Sequence, residues 1–296
     1  IAGRQPMRPR RYLQLDVFAD RPGAGNPLGV VLDAADLETA AMQAFAAWTR
    51  LSETIFFLPP TSAGADYRIR IFTPRQELPF AGHPSIGAAW AAVETGLAPD
   101  TGALVQECAA GLLPARVEGR GADRLLCLRA PDARPQPVPT DARELLARVL
   151  ATLPQGRLPA ALWNNGPGWW LVELEDAAAV RALVPDLAAI AALSRATGAV
   201  GLAVFGMAGA ATDHALAVRA FCPADDVPED PVTGSANAAI GAALHAAGRF
   251  PGQGRYVASQ GRELGRDGRV VVERDEAGAI WIGGRVQPVI AGSATW

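Results

Sequence analysis

Two segments of this 296-residue chain, 152 positions apart, have the same outline. In the first half, RIFTP (Arg70 to Pro74) leads into PFAGHPSIGAAWAAVETG (Pro79 to Gly96). In the second, RAFCP (Arg219 to Pro223) leads into PVTGSANAAIGAALHAAG (Pro231 to Gly248). Each closing segment has glycine at its fourth and last places. Self-similarity at about half the chain length points to a duplicated unit. Coincidence between alanine-rich helices is the competing explanation, but composition does not account for a shared R-x-F-x-P strand.

The echo has a physical sense. Proline and glycine turn the chain out of a strand, and His83 or Ser235 is then expected at a helix cap, with Pro84 suited to a first helical turn. Alanines continue the helix and Gly96 or Gly248 stops it. Unsatisfied N–H groups at a helix start favour anions such as carboxylates. Two such starts facing each other across a domain interface would hold a small acid from both sides. Two ordinary capped core helices are the plainer alternative.

The rest of the chain reads as short strands with few helices between them. Tyr12 to Ala19 and Tyr67 to Pro74 alternate like half-buried strands, and GVVLD and IFFLPP are strand-like runs. Leu37 to Trp48 has apolar residues at helical spacing. LLPARVEG, RLLCLRAP, WWLVEL, GLAVFG, LAVRAF, RVVVERD and AIWIGGRV add strands, and a helix is expected from Asp141 to Ala151. This pattern fits α+β better than a doubly wound α/β fold. The proline-rich APDARPQPVPT (130–140) is the expected linker, which divides the chain into domains 1–130 and 131–296. Met7 reads as the natural start, with Ile1 to Pro6 an extraneous remnant ahead of it, so residues 1–6 are set aside.

Composition narrows the chemistry. Half the residues are hydrophobic and 19% are charged, the balance of a globular protein with a real core. The net charge of −3 offers no excess of positive charge for a nucleic-acid backbone. No apolar run reaches the length of a membrane span, and no secretion signal is evident, so a cytoplasmic protein is expected. All 27 basic residues are arginine. Without lysine there is no Schiff-base chemistry and no P-loop lysine. Cys108, Cys127 and Cys222 are far apart and read as core thiols, and the three histidines lack zinc-helix spacing, so no metal site is expected. GAGNPLG (Gly23 to Gly29) leads into a strand rather than a helix, so it fails as a dinucleotide loop.

Proton transfer must then fall to carboxylates, histidine or cysteine. Glu77, Asp225, Asp226, Glu229 and Asp230 lie near the echoes. Asp230, just before the Pro231 turn, could point into an interface or be a solvated loop acid. Glu53, in RLSETIFF, sits between a helix and an apolar strand. Desolvation there would raise its pKa toward neutrality, as a general acid–base needs. A helix-end glutamate is the alternative.

LSET (Leu51 to Thr54), FTPRQELPFAGHP (Phe72 to Pro84) and EDPVTGSA (Glu229 to Ala236) resemble the PhzF-like phenazine-biosynthesis family. DVFADRPGAGNPLGVV and SQG (Ser259 to Gly261) are similar to it too, so the resemblance covers nearly the whole chain. It implies a diaminopimelate epimerase-like α+β fold of two similar halves, each a curved sheet around a central helix, with the site in the cleft between them. The family's type member is a cofactor-free isomerase that converts trans-2,3-dihydro-3-hydroxyanthranilate to a ketone by moving a proton between ring carbons.

Carried over by motif, the resemblance makes Glu53 the acid–base, with His83, Asp230 and Ser235 completing the catalytic set. Gly82 and Gly234 would offer N–H groups to a substrate carboxylate, with Asn26 and Gly261 as further binding positions. Related epimerases use a cysteine in each half, whereas here the matching loops have Ala81 and the Asp230–Pro231 step. SQG continues as RELGRDGR where many relatives have Gly-Arg-Pro-Ser, so that edge of the pocket is expected to differ. The resemblance also implies a homodimer acting on a small carboxylate with no cofactor. An epimerase or racemase of an amino acid-like substrate, or a non-catalytic ligand-binding protein of the same fold, are the alternatives.

Overall fold

The computed structural model describes residues 7–296; the remnant read at residues 1–6 lies outside the described residues. The chain divides into two compact units, one ending at Leu128 but rejoined by Arg285–Trp296, the other Arg129–Gly284. The first contains β1 (Pro9–Val17), β2 (Asn26–Val31), α1 (Thr39–Thr49), β3 (Glu53–Leu58), β4 (Tyr67–Phe72), β5 (Glu77–Leu78), α2 (Gly82–Glu94), β6 (Ala103–Cys108), β7 (Gly111–Glu118) and β8 (Leu125–Arg129). Then come β9 (Arg134–Gln136), α3 (Arg143–Leu150), β10 (Ala161–Asn164), β11 (Gly168–Glu173), α4 (Ala177–Ala182), α5 (Leu187–Thr197) and β12 (Gly201–Met207). They are followed by β13 (Leu216–Cys222), β14 (Val227–Asp230), α6 (Gly234–Ala246), β15 (Arg255–Gln260), β16 (Gly268–Arg274), β17 (Ile280–Gly284) and β18 (Val286–Thr295).

The duplication extends through the whole topology. In the first unit β1–β2 is antiparallel, β2–β3 parallel and β3–β4 antiparallel; β4 takes β5 antiparallel and β6 parallel, and β6–β7–β8 is an antiparallel meander. The second unit repeats each step from β10 to β17. Even the added strand is matched, β18 against β1 and β9 against β10, both antiparallel.

Two expectations about boundaries change. Residues 285–296, read as part of the second half, belong to the first unit because β18 runs antiparallel along β1 from Val286↔Val17 to Thr295↔Pro9. Trp296 secures that end: its ring packs edge-on against Phe45 at 5.1 Å, and its Nε1 donates to Ala41 O at 2.9 Å. The proline-rich stretch 130–140 is not all linker. It contains β9, where Pro135 is accommodated as an edge strand accommodates a residue without an N–H.

Each unit wraps a helix. Eleven of the thirteen residues of α2 are buried, and nine of the thirteen in α6. Alanine and glycine on every side give these helices no polar face, so they are stable only when enclosed. α2 packs against β1, β2, β3, β4, β6 and β18, and α6 against β11, β16 and β17. Gly96 and Gly248 follow the two helix ends at φ +72° and +67°, as expected of helix stops. Outer helices cover other sheet faces. Met42 and Phe45 of α1 pack on Phe56 and Phe72, while Ile190 and Leu193 of α5 pack with Trp170, Leu202 and Phe221. Among the described residues, no helix is long and apolar enough to cross a membrane.

Candidate functional site

Glu53 opens β3, three residues after Arg50 caps the end of α1 in the left-handed conformation. It is therefore not a helix-capping glutamate. Strand alternation puts Glu53, Ile55 and Phe57 on one face, and the contact of Glu53 with His83 shows that this face meets α2. Glu53 Oε2 lies 3.4 Å from His83 Nε2; the Glu53 side chain is 17% exposed and that of His83 6%. Oε2 is shielded from solvent and makes no hydrogen bond. Burial pushes the Glu53 carboxyl up to about 7, against a smaller opposing pull from the Ser52 hydroxyl. Ser52 Oγ in turn donates to Asn26 Oδ1 at 3.1 Å. Asn26 is fully buried at the head of β2, so its side chain braces the Ser52–Glu53 corner.

Both helix caps lie two residues earlier than expected. The caps are Ala81 and Thr233, both extended, and neither forms a side-chain cap bond. Gly82 and Gly234 take the first helical positions, His83 and Ser235 the second. Glycine opens each helix without a side chain, and the first-turn N–H groups have no partner within the helix.

The start of α6 is held by one buried glutamine. Gln260 Oε1 accepts from Thr233 N and Asn237 Nδ2, both at 3.0 Å, and its Nε2 donates to Asp230 O at 3.0 Å and Thr233 Oγ1 at 2.9 Å. Asp230 Oδ2 accepts from Thr233 Oγ1 at 2.5 Å. Gly261 is left-handed at φ +95°, and a Cβ there would lie 2.6 Å from Pro231 O, which fixes glycine beside the Asp230–Pro231 step. Sequence reasoning brings Asp230, Ser235, Gly234 and Gly261 to this corner but misses Thr233, Asn237 and Gln260. Gln260 lies inside the SQG stretch, its chemistry hidden until β15 is placed.

Both units carry the same arginine–glutamate fork on the strand ahead of the central helix. Arg70 donates to Glu77 at 2.7 and 2.6 Å, and Arg219 to Glu229 at 2.9 and 2.8 Å. Each guanidinium also stacks over the phenylalanine two residues on, Phe72 or Phe221, at 5.1 and 5.0 Å. Glu77 and Glu229 are thus committed to structure.

The registers identify equivalent positions. Leu28 pairs with Glu53 and Thr54 with Phe72; in the second unit Trp169 pairs with Gly201 and Leu202 with Phe221. Because Phe72 and Phe221 are the matched residues of R-x-F-x-P, Glu53 corresponds to Gly201 and Leu28 to Trp169. The 152-residue offset matches His83 to Ser235. Where the first unit faces a carboxyl to an imidazole, the second faces an indole to a hydroxyl: Trp169 Nε1 donates to Ser235 Oγ at 3.1 Å. A Cβ on Gly201 would lie 2.1 Å from Phe221 O, so the second unit has no room for an acid at this position. All three cysteines are buried thiols on β6, β8 and β13, outside these loops. Among the described residues, no group of three or more His, Cys, Asp or Glu is placed to hold a metal ion.

The family model described as "Phenazine biosynthesis-like protein" (PhzC-PhzF) matches residues 15–292. The trans-2,3-dihydro-3-hydroxyanthranilate isomerase of Pseudomonas aeruginosa is 36% identical over 273 residues, 90% of this chain and 91% of that protein. "Antisense-enhancing sequence 1" of Schizosaccharomyces pombe is 33% identical over 297 residues, 97% and 99% of the two chains. Among solved structures, a PhzF-family phenazine biosynthesis protein from Bacillus anthracis superposes with a TM-score of 0.84 at 26% identity, covering 98% of this chain and 100% of that one.

Proposed function

The chain belongs to the phenazine biosynthesis-like PhzC-PhzF family, and from that membership we propose that it is a cofactor-independent isomerase with Glu53 as its acid–base. Its diaminopimelate epimerase-like fold is in keeping with proton-transfer chemistry on a small acid. The observation that carries the reading is the Glu53 carboxyl itself, pushed up to about 7 by burial and set 3.4 Å from His83. A group titrating near the working pH has its basic and acidic forms both populated, which is what a reversible proton carrier needs.

In the proposed reaction Glu53 takes a proton from a carbon beside an unsaturated system. The C–H electron pair moves into the conjugated system, and the protonated Glu53 returns the proton to a different carbon, so nothing is oxidised or reduced. His83 steadies or relays that proton. Asp230 is assigned to orienting it, and Ser235 with the Gly82 and Gly234 N–H groups to holding the substrate's acid oxygens. The substrate class is a small cyclic or unsaturated carboxylic acid, for which trans-2,3-dihydro-3-hydroxyanthranilate is the first probe because the P. aeruginosa relative is named for it. A homodimer belongs to the same proposal and is checked by solution mass.

An epimerase of an amino acid-like substrate is the second reading, favoured by the shared fold. Inversion at one carbon ordinarily uses two carriers, and the position equivalent to Glu53 is Gly201. That asymmetry favours a single carrier and hence isomerisation. The test is NMR of the probe in D₂O with wild type and Glu53→Gln. Conversion with deuterium at one new carbon supports the isomerase. Near-normal exchange in Glu53→Gln removes Glu53 from its role.

A further inference from the structure

Ser235 is half-buried while Gly234, Ala236 and Asn237 around it are buried, so its hydroxyl is the reachable polar group of the first turn of α6. An indole N–H can only donate, so the bond from Trp169 makes Ser235 Oγ the acceptor. The serine's own proton remains to be placed. In the first unit, the first-turn serine of α2 spends its proton on the helix, Ser85 Oγ donating to Ala81 O at 2.9 Å. Among the described residues, the Ser235 hydroxyl has no such acceptor. Its backbone is pinned as well: Asn165, 2% exposed, donates Nδ2–H to Ser235 O at 2.9 Å.

Trp169 is itself held tightly. It is 2% exposed on β11, and a Cβ on its partner Gly201 would lie 3.1 Å from the indole Cζ3. Packing fixes the ring, and the ring fixes the hydroxyl.

We propose that Trp169 is a positioning residue: by occupying one acceptor site of Ser235 Oγ with its indole N–H, it orients the hydroxyl so that the serine's own proton is left to donate to an acceptor oxygen of the ligand, such as a carboxylate. Asn165 acts with it by fixing the backbone of the same residue. The inference rests on the reading that Ser235 contacts substrate, and it adds a direction to that contact: the serine's own proton is donated to an oxygen of the ligand.

The test is a double-mutant cycle on the full chain, with anthranilate affinity by calorimetry and turnover of trans-2,3-dihydro-3-hydroxyanthranilate as readouts. Ser235→Ala is expected to weaken anthranilate binding about tenfold, and Trp169→Phe, which keeps an aromatic ring, by ~3- to 10-fold with kcat nearly unchanged. In the Ser235→Ala background, Trp169→Phe should add less than about twofold. An undiminished effect in that background means the tryptophan acts through packing alone and overturns the proposal, while leaving the isomerase reading intact. A Ser235→Ala variant with unchanged affinity overturns both the proposal and the serine's assigned role, whereas deuterium incorporation still reports separately on Glu53. Should Trp169→Phe fold poorly, the indole ¹⁵N–¹H resonances of the unmodified protein decide. The resonance moved by Ser235→Ala must be among those anthranilate moves most, and a different set of resonances refutes the assignment.

Discussion

Glu53 Oε2 faces His83 Nε2 across 3.4 Å, too long and too poorly aligned for a strong hydrogen bond and short enough for a proton to cross after a small approach. The carboxyl is therefore not locked as an ion by its neighbour, and burial keeps its pKa about 7. As the base, Glu53 must be ionised in the free enzyme. The expected result is a kcat/KM that rises with pH and levels off above an inflection near 7, read on the probe acid in initial-rate assays. Glu53→Gln should lose turnover by about 10² or more and still bind anthranilate. An inflection left near 4.5, the ordinary glutamate value, would mean that burial does not tune this group.

The same shift affects stability, and its sign is opposite to that of an ion-paired acid. The folded protein holds the Glu53 proton more tightly than the unfolded chain, so between about pH 4.5 and 7 the native state binds more protons and stability falls as pH rises. Above that window the cost of the buried charge is complete, on the order of 3 kcal/mol. Glu53→Gln removes it. Thermal melts should show the variant gaining stability over wild type at pH 8 and little or none at pH 4.5. An equal difference at both values would contradict the assignment of the shift to Glu53.

The sequence is legible where local chemistry repeats. R-x-F-x-P and the two glycine-opened helices expose the duplication, because a strand ending in proline followed by an alanine helix is written in adjacent residues. Glu53 is legible for the same reason, standing between a helix and an apolar run. Pairing across distance is not. Nothing in VQPVIAGSAT indicates that it runs along β1, and nothing in APDARPQPVPT marks Arg134–Gln136 as an edge strand. The caps lie two residues ahead of His83 and Ser235 because Ala81 and Thr233 hold the extended backbone before each first turn, and alanine carries no capping group that would mark it in the sequence. Trp169 and Gly201 appear as ordinary core residues until the registers place them opposite each other.

The two arginine–glutamate forks should differ in what they are worth. In the Arg219–Glu229 pair the side chains are 7% and 9% exposed, against 22% and 32% for Arg70–Glu77. Arg219 also donates to the carbonyls of Val180 and Leu183, so its loss uncovers acceptors as well as a carboxylate. Arg219→Met is expected to cost roughly 3–5 kcal/mol by leaving a buried charge unpaired, and Arg70→Met about 1 kcal/mol. Chemical denaturation of the two variants side by side measures the difference. Equal losses would show that burial does not set the value of these forks.

Gln260 should matter more than its neutral side chain suggests. It satisfies a backbone N–H, a backbone carbonyl, an asparagine amide and a threonine hydroxyl at once, all at the start of α6. Gln260→Leu keeps the volume and strips these partners where water has little access, at an expected cost of roughly 2–4 kcal/mol. Gln106, equally buried on β6, donates at 2.9 Å to Ser85 Oγ, a hydroxyl that keeps its own bond to Ala81 O, so Gln106→Leu should cost less. Amide hydrogen exchange gives the local reading. Thr233 N–H, which donates to Gln260 Oε1, should lose protection in Gln260→Leu while amides of α2 keep theirs. Retained protection at Thr233 would mean that the α6 start holds its geometry without the glutamine, and that Asp230 and Ser235 are positioned by other contacts.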